Sequence, residues 1–136
     1  MPGITMDRFV DTKGRSERYW IDAAIHDAKT DVLPFGNIVI WGKQWFELGE
    51  DDLEEFVRTV VRALLDAGAI IVRPREVAEG YEWQRPTEYD KSDPEAKIDA
   101  LLWDHRRLND EYGFFAWFSF GVPPIAPRVD LKGFGN

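Results

Sequence analysis

Two histidines, one dense run of carboxylates and six tryptophans hold most of the chemical potential of this 136-residue chain. Acid–base work needs a titratable ring with an orienting partner. Asp22 and His26 stand four apart, so on a helix they share a face and the carboxylate would orient the imidazole. His105 lies in Trp103-Asp104-His105-Arg106-Arg107, where two adjacent cations work against a general base. With two histidines and no HExxH or HxH spacing, a histidine metal site is hard to assemble. Both rings are taken as packing or local ion-pair residues, and a small enzyme built on Asp22 and His26 is the least favoured reading.

The acids Glu50, Asp51, Asp52, Glu54 and Glu55 would serve a metal or a two-carboxylate mechanism only by converging on a cleft. Consecutive residues on a helix point in different directions, and no EF-hand spacing is present. They suit the start of a helix, where the positive end of its dipole favours negative charge. They also suit an exposed acidic patch that meets a basic partner. The glycines form neither GxxxxGK[ST] nor GxGxxG, and no serine sits in GxSxG. The chain has no cysteine, which removes disulfides, zinc ribbons, iron–sulfur clusters and thiol catalysis. No metal and no cofactor are expected.

Charge excludes more. Twenty-five acids against seventeen bases give a net charge of −8. Nucleic-acid binding rests on neutralising phosphates with a basic stripe, so direct binding of DNA or RNA is not expected. A basic protein partner is, because such a field steers association. No apolar stretch reaches the ~18 residues of a membrane span, and residues 1–20 lack the apolar core of a secretory signal. A cytoplasmic protein without membrane contact is the expectation.

The elements that must position these residues are legible in outline. Ser16 caps a helix running to about Thr30. Asn37-Ile38-Val39-Ile40-Trp41 is β-branched and apolar on both faces, as a short buried strand would be. Gln44 to Leu48 is a return strand or a turn. From Gly49, the positions Leu53, Phe56, Val57, Val60, Val61, Leu64 and Leu65 keep one unbroken helical stripe, closed by Gly68. Ala69 to Arg73 reads as a strand stopped by Pro74. Residues 74–94 read as loop, within which Tyr81 to Arg85 alternates and would pair back onto residues 70–73 as a hairpin with a long tip. Pro94 opens a third helix with Ile98, Leu101, Leu102 and Leu108 as its stripe, closed by Gly113.

Residues 114–120 (Phe114-Phe115-Ala116-Trp117-Phe118-Ser119-Phe120) then form an aromatic strand. Its alternation puts Phe118 and Phe120 in the core and leaves the face of Phe115 and Trp117 undecided. The whole is expected to be one domain, with an irregular arm over 1–15 and a Pro/Gly-rich tail over 121–136. The fold class is α+β, three helices on a small mixed or antiparallel sheet. A small three-layer α/β sheet and a winged-helix-like core are the alternatives.

Six tryptophans are more than a core of this size requires, and large rings with a polar handle favour interfaces. Trp83, in a polar loop, is the foremost candidate for exposure, with Trp103 and Trp117 beside it. Leu64-Leu65-Asp66-Ala67-Gly68-Ala69, Tyr81-Glu82-Trp83, the helix start Ser92-Asp93-Pro94-Glu95 and Trp117-Phe118-Ser119 together resemble small bacterial proteins of the immunity type. The resemblance spans roughly residues 50–120 of 136. It implies an acidic, non-enzymatic, stoichiometric inhibitor of a toxin, and it carries no catalytic residues over. The expectation is therefore a protein-binding module that inhibits a basic partner. Glu50, Asp51, Asp52, Glu54 and Glu55 would steer, while Trp83, Trp103 and Trp117 would anchor. The alternative is a structural or assembly subunit of a phage or other multi-protein complex.

Overall fold

The computed structural model describes residues 9–78, 80–108, 113–122 and 126–127. Four helices lie against an antiparallel sheet, an α+β arrangement. Helix α1 (Glu17–Thr30) begins after Ser16 and buries Glu17, Trp20, Ile21, Ala24 and Ala28 at helical spacing. Strand β1 (Leu33–Pro34) leads directly into α2 (Phe35–Gln44). Helix α3 (Glu50–Asp66) buries Phe56, Val57, Val60, Val61 and Leu64 and packs against the other three helices. Gly68, at φ +107°, turns the chain into β2 (Ile70–Val77). Strand β3 (Gly80–Gln84) and a 3₁₀ turn (Thr87–Tyr89) follow, then α4 (Pro94–Leu108), β4 (Trp117–Ser119) and β5 (Ala126–Pro127).

The strand order is β1-β4-β2-β3-β5, with every pair antiparallel. That excludes a three-layer parallel sheet. A helix followed by a hairpin, the winged-helix signature, is present as α3 and β2–β3, but inside this five-stranded sheet. Leu33, Phe118 and Ile71 stand side by side across β1, β4 and β2 and belong to the core under the helices. Pro34, Trp117 and Val72 form the adjacent row, which strand alternation turns to the outer face.

Several elements differ from expectation, each for a physical reason. Residues 37–41 lie in α2 and not in a strand, so four α-helices stand among the described residues. Phe35, Gly36, Ile38, Val39 and Gly42 are its buried positions, a helical spacing that the β-branched run concealed. A helix buried on most sides and a short buried strand have the same composition. Gly42 lets α2 approach α3, since a Cβ there would meet Leu53 Cδ1 at 2.5 Å and Phe56 Cδ2 at 3.0 Å. Gln44 is the last residue of α2, and Trp45 to Leu48 is the turn that follows it.

Pro74 does not end β2. Beyond Val72 the strand has lost its β4 neighbour and pairs only with β3, so a residue without an N–H is tolerated there. The hairpin therefore joins residues 73–77 to residues 80–84 with a short tip, and residues 74–94 are not one loop. Leu108 is exposed at 43% and is not part of the α4 stripe. The aromatic strand shrinks to residues 117–119: Phe115 is buried outside it, Phe120 is half-buried and Phe114 is exposed. Residues 9–15 of the arm form a turn closed by a bridge between Val10 and Ser16. Residues 1–8 and most of the tail, including Gly133 to Asn136, lie outside the described residues. Among the described residues no helix is long and apolar enough to cross a membrane.

Candidate functional site

The outer sheet face carries a cluster of three large rings. Trp83 stands opposite Pro74, and Pro74 shares its side of β2 with Val72, which stands opposite Trp117. The two indoles come from the strands flanking β2 and meet above it, ring centres 5.5 Å apart and nearly perpendicular. Their roof explains why Val72, on the face away from the core cluster, exposes nothing. Phe114 stacks on Trp117 at 5.2 Å and 19°. The Trp117 indole N–H donates to the Phe114 carbonyl at 2.9 Å, which fixes the stack.

A polar clamp holds that loop. Arg73 Nε donates to the Phe115 carbonyl at 2.7 Å, and its NH2 reaches Glu88 Oε2 at 3.1 Å. Tyr89 donates its hydroxyl to Asp104 Oδ2 at 2.6 Å, and Arg107 reaches Asp104 Oδ1 at 3.0 Å. Burial alone would raise the Asp104 carboxyl. The hydrogen bonds from Tyr89 and Arg107 outweigh it and hold the group below its usual range. Burial and the adjacent carboxylate push Tyr89 upward, so it serves as a donor and not as a phenolate.

The acids occupy another part of the molecule. Glu50, Asp51, Asp52, Glu54 and Glu55 are all exposed at the start of α3. Glu54 is already engaged, by Arg58 Nε at 3.5 Å and by Arg106 NH1 of α4 at 3.2 Å. Further along, Arg58 bonds Asp99 at 2.6 Å, and Arg62 bonds Asp66 at 3.0 Å and Glu95 at 2.9 Å. This ladder ties α3 to α4 and absorbs part of the acidic charge. Trp103 stands three residues before Arg106 on the exposed side of α4 and, among the described residues, is the most exposed of the large hydrophobic ones at 62%.

The expected site thus divides in two. Trp83 and Trp117 meet each other, while Trp103 accompanies the acids on the helical side. Trp83, the foremost candidate for exposure, is half-buried in a strand, because Trp117 leans against it. Phe114 completes the sheet cluster. Its signal in the sequence was its spacing of three from Trp117, which suits a turn and not a strand. Asp22 and His26 are exposed on α1, and His105 packs between Phe35 and Phe115 at 5.4 and 6.3 Å. Among the described residues, no group of three or more acids and histidines gathers as metal ligands would. No family model, curated protein or solved structure matches the chain.

Proposed function

We propose that this chain is a non-enzymatic protein-binding module, an acidic inhibitor of a basic protein partner of the immunity or anti-defence kind. The observation that carries the reading is the meeting of Trp83, Trp117 and Phe114 on the outer sheet face. Three large rings placed there add nothing to the core beneath the helices. Tryptophan-rich clusters of this type dominate the energy of protein interfaces. With a charge of −8 on each copy, self-association through this face is opposed by repulsion and a basic partner is favoured. Glu50, Asp51, Asp52, Glu54 and Glu55 act at longer range, on the rate of encounter more than on the lifetime of the complex. Trp103 is the anchor on the helical side.

Affinity capture from the native host tests the proposal. A one-to-one complex weakened by salt is expected, with Trp83→Ala and Trp117→Ala shortening its lifetime. Neutralising Glu50, Asp51 and Asp52 together should slow association instead. Recovery of no partner at any salt concentration, or a self-assembled oligomer in light scattering, refutes it; the second result favours an assembly subunit.

A further inference from the structure

The ordered N-terminal turn builds a set of contacts that neither the sheet cluster nor the α3 acids use. The Arg15 guanidinium carbon lies 4.7 Å from the ring centre of Tyr19, 5.0 Å from Trp20 and 5.2 Å from Trp45. Its Nε donates to Asp11 Oδ2 at 2.8 Å, and the Trp20 indole N–H donates to the same oxygen at 2.8 Å. Asp11 Oδ1 accepts the backbone N–H groups of Lys13 and Arg15. Burial would raise the Asp11 carboxyl. These four hydrogen bonds outweigh it and lower the group to about 2, so the carboxylate stays charged.

Three ring faces and one ionised carboxylate are the recognition set for a guanidinium. The central wall is packed in place: Trp20 is buried and tilts against Trp41 at 5.2 Å and Trp45 at 5.7 Å, while Tyr19 is exposed. The occupant sits on a turn whose tip, Thr12, Lys13 and Gly14, is exposed. Arg15 keeps 31% of its side chain accessible, so the cage opens to solvent on the side from which the arginine enters.

We infer that Asp11, Tyr19, Trp20 and Trp45 form a guanidinium-recognition site which the chain fills with its own Arg15, and that a guanidinium from outside can replace it. The Arg15 side chain is then a plug. In a complex with a basic protein, a partner arginine would take the cage while the Arg15 side chain swings out, and Asp11 stays in place, held by the backbone N–H groups of Lys13 and Arg15 and by the Trp20 indole. That extension rests on the proposed function, whereas the chemistry of the cage does not.

Arg15 is tethered by a short segment and competes at an effective concentration in the millimolar range. An external guanidinium should therefore bind the unaltered chain at least about tenfold more weakly than a chain lacking Arg15. Methylguanidinium is titrated into the wild-type chain and into Arg15→Ala, following the Trp20 indole N–H by NMR, with neutral methylurea as the control of equal shape. A saturable shift in Arg15→Ala is expected, at least about tenfold weaker in wild type. Methylurea should produce none, and adding Asp11→Asn should abolish it. No saturable shift in Arg15→Ala, or an equal response to methylurea, overturns the inference. Should Arg15→Ala fail to fold, Arg15→Lys keeps a cation in the cage. Methylguanidinium must then displace it more readily than it displaces arginine, and failure to do so overturns the inference equally. No partner enters this experiment, so its failure leaves the proposed function standing, and an empty capture experiment leaves the cage standing.

Discussion

Replacing Gly113 by alanine should be among the most damaging single changes in the chain, and two separable costs explain why. Gly113 has φ +61°, a conformation that costs a residue bearing a Cβ about 1–2 kcal/mol. The same Cβ would press on the start of α2, 2.6 Å from Gly36 Cα and 3.1 Å from the Phe35 carbonyl carbon. Those atoms are backbone and cannot swing away, so overpacking adds about 1–3 kcal/mol. The sum, about 2–5 kcal/mol, is a large part of the ~5–15 kcal/mol that holds a domain together. At about 4 °C per kcal/mol for a chain of this length, the melting temperature should fall by about 8–20 °C.

Gly14→Ala isolates the first cost, since φ there is +80° and nothing lies within 4 Å of an added Cβ. Its melting temperature should fall by only about 4–8 °C. Thermal unfolding followed by circular dichroism compares the two. If Gly113→Ala is no worse than Gly14→Ala, the close approach of the Gly113 loop to α2 does not govern stability and the reasoning fails.

Tyr89→Phe removes the 2.6 Å hydrogen bond to a buried carboxylate and should cost about 1.5–3 kcal/mol in denaturant unfolding. Arg58→Ala breaks contacts with Glu54, Glu95 and Asp99 on a side chain 33% exposed. It should cost no more than about 1 kcal/mol, and less in high salt. Asp11 has a folded pKa of about 2 against an ordinary 3.8, so its contribution is complete above about pH 4 and is lost as the pH falls towards 2. The Trp20 indole resonance should report that loosening, and Asp11→Asn should remove the pH dependence.

The parts of the fold legible in the sequence are those whose signal is local. The stripe from Leu53 to Leu65, with its acids and Gly68, specifies α3 without reference to anything else. The run from Ile38 to Ile40 is misleading because whether it becomes strand or helix depends on the approach of α3 to Gly42, many residues away in the chain. Pro74 misleads similarly, since its tolerance depends on where β4 stops pairing. The candidate site follows the same rule. Trp83 and Trp117 are visible as large rings, but their meeting depends on the registers of β2 with β3 and with β4. The Arg15 cage escapes sequence inspection because Trp45 joins it only once α2 has folded back towards α1.

The place of β4 in the sheet has a consequence for synthesis. β1 (Leu33–Pro34) and β2 (Ile70–Val77) are not neighbours; residues 117–119 join them. Until that late segment has left the ribosome, β1 lacks its neighbour and the Phe118 contribution to the core is missing. The nascent chain therefore completes its helices early but keeps a gap between β1 and β2, where non-local pairing is slow to form and prone to aggregation. Closure has to wait for β4, and a ribosome stalled before residue 117 would display an open strand edge that chaperones recognise.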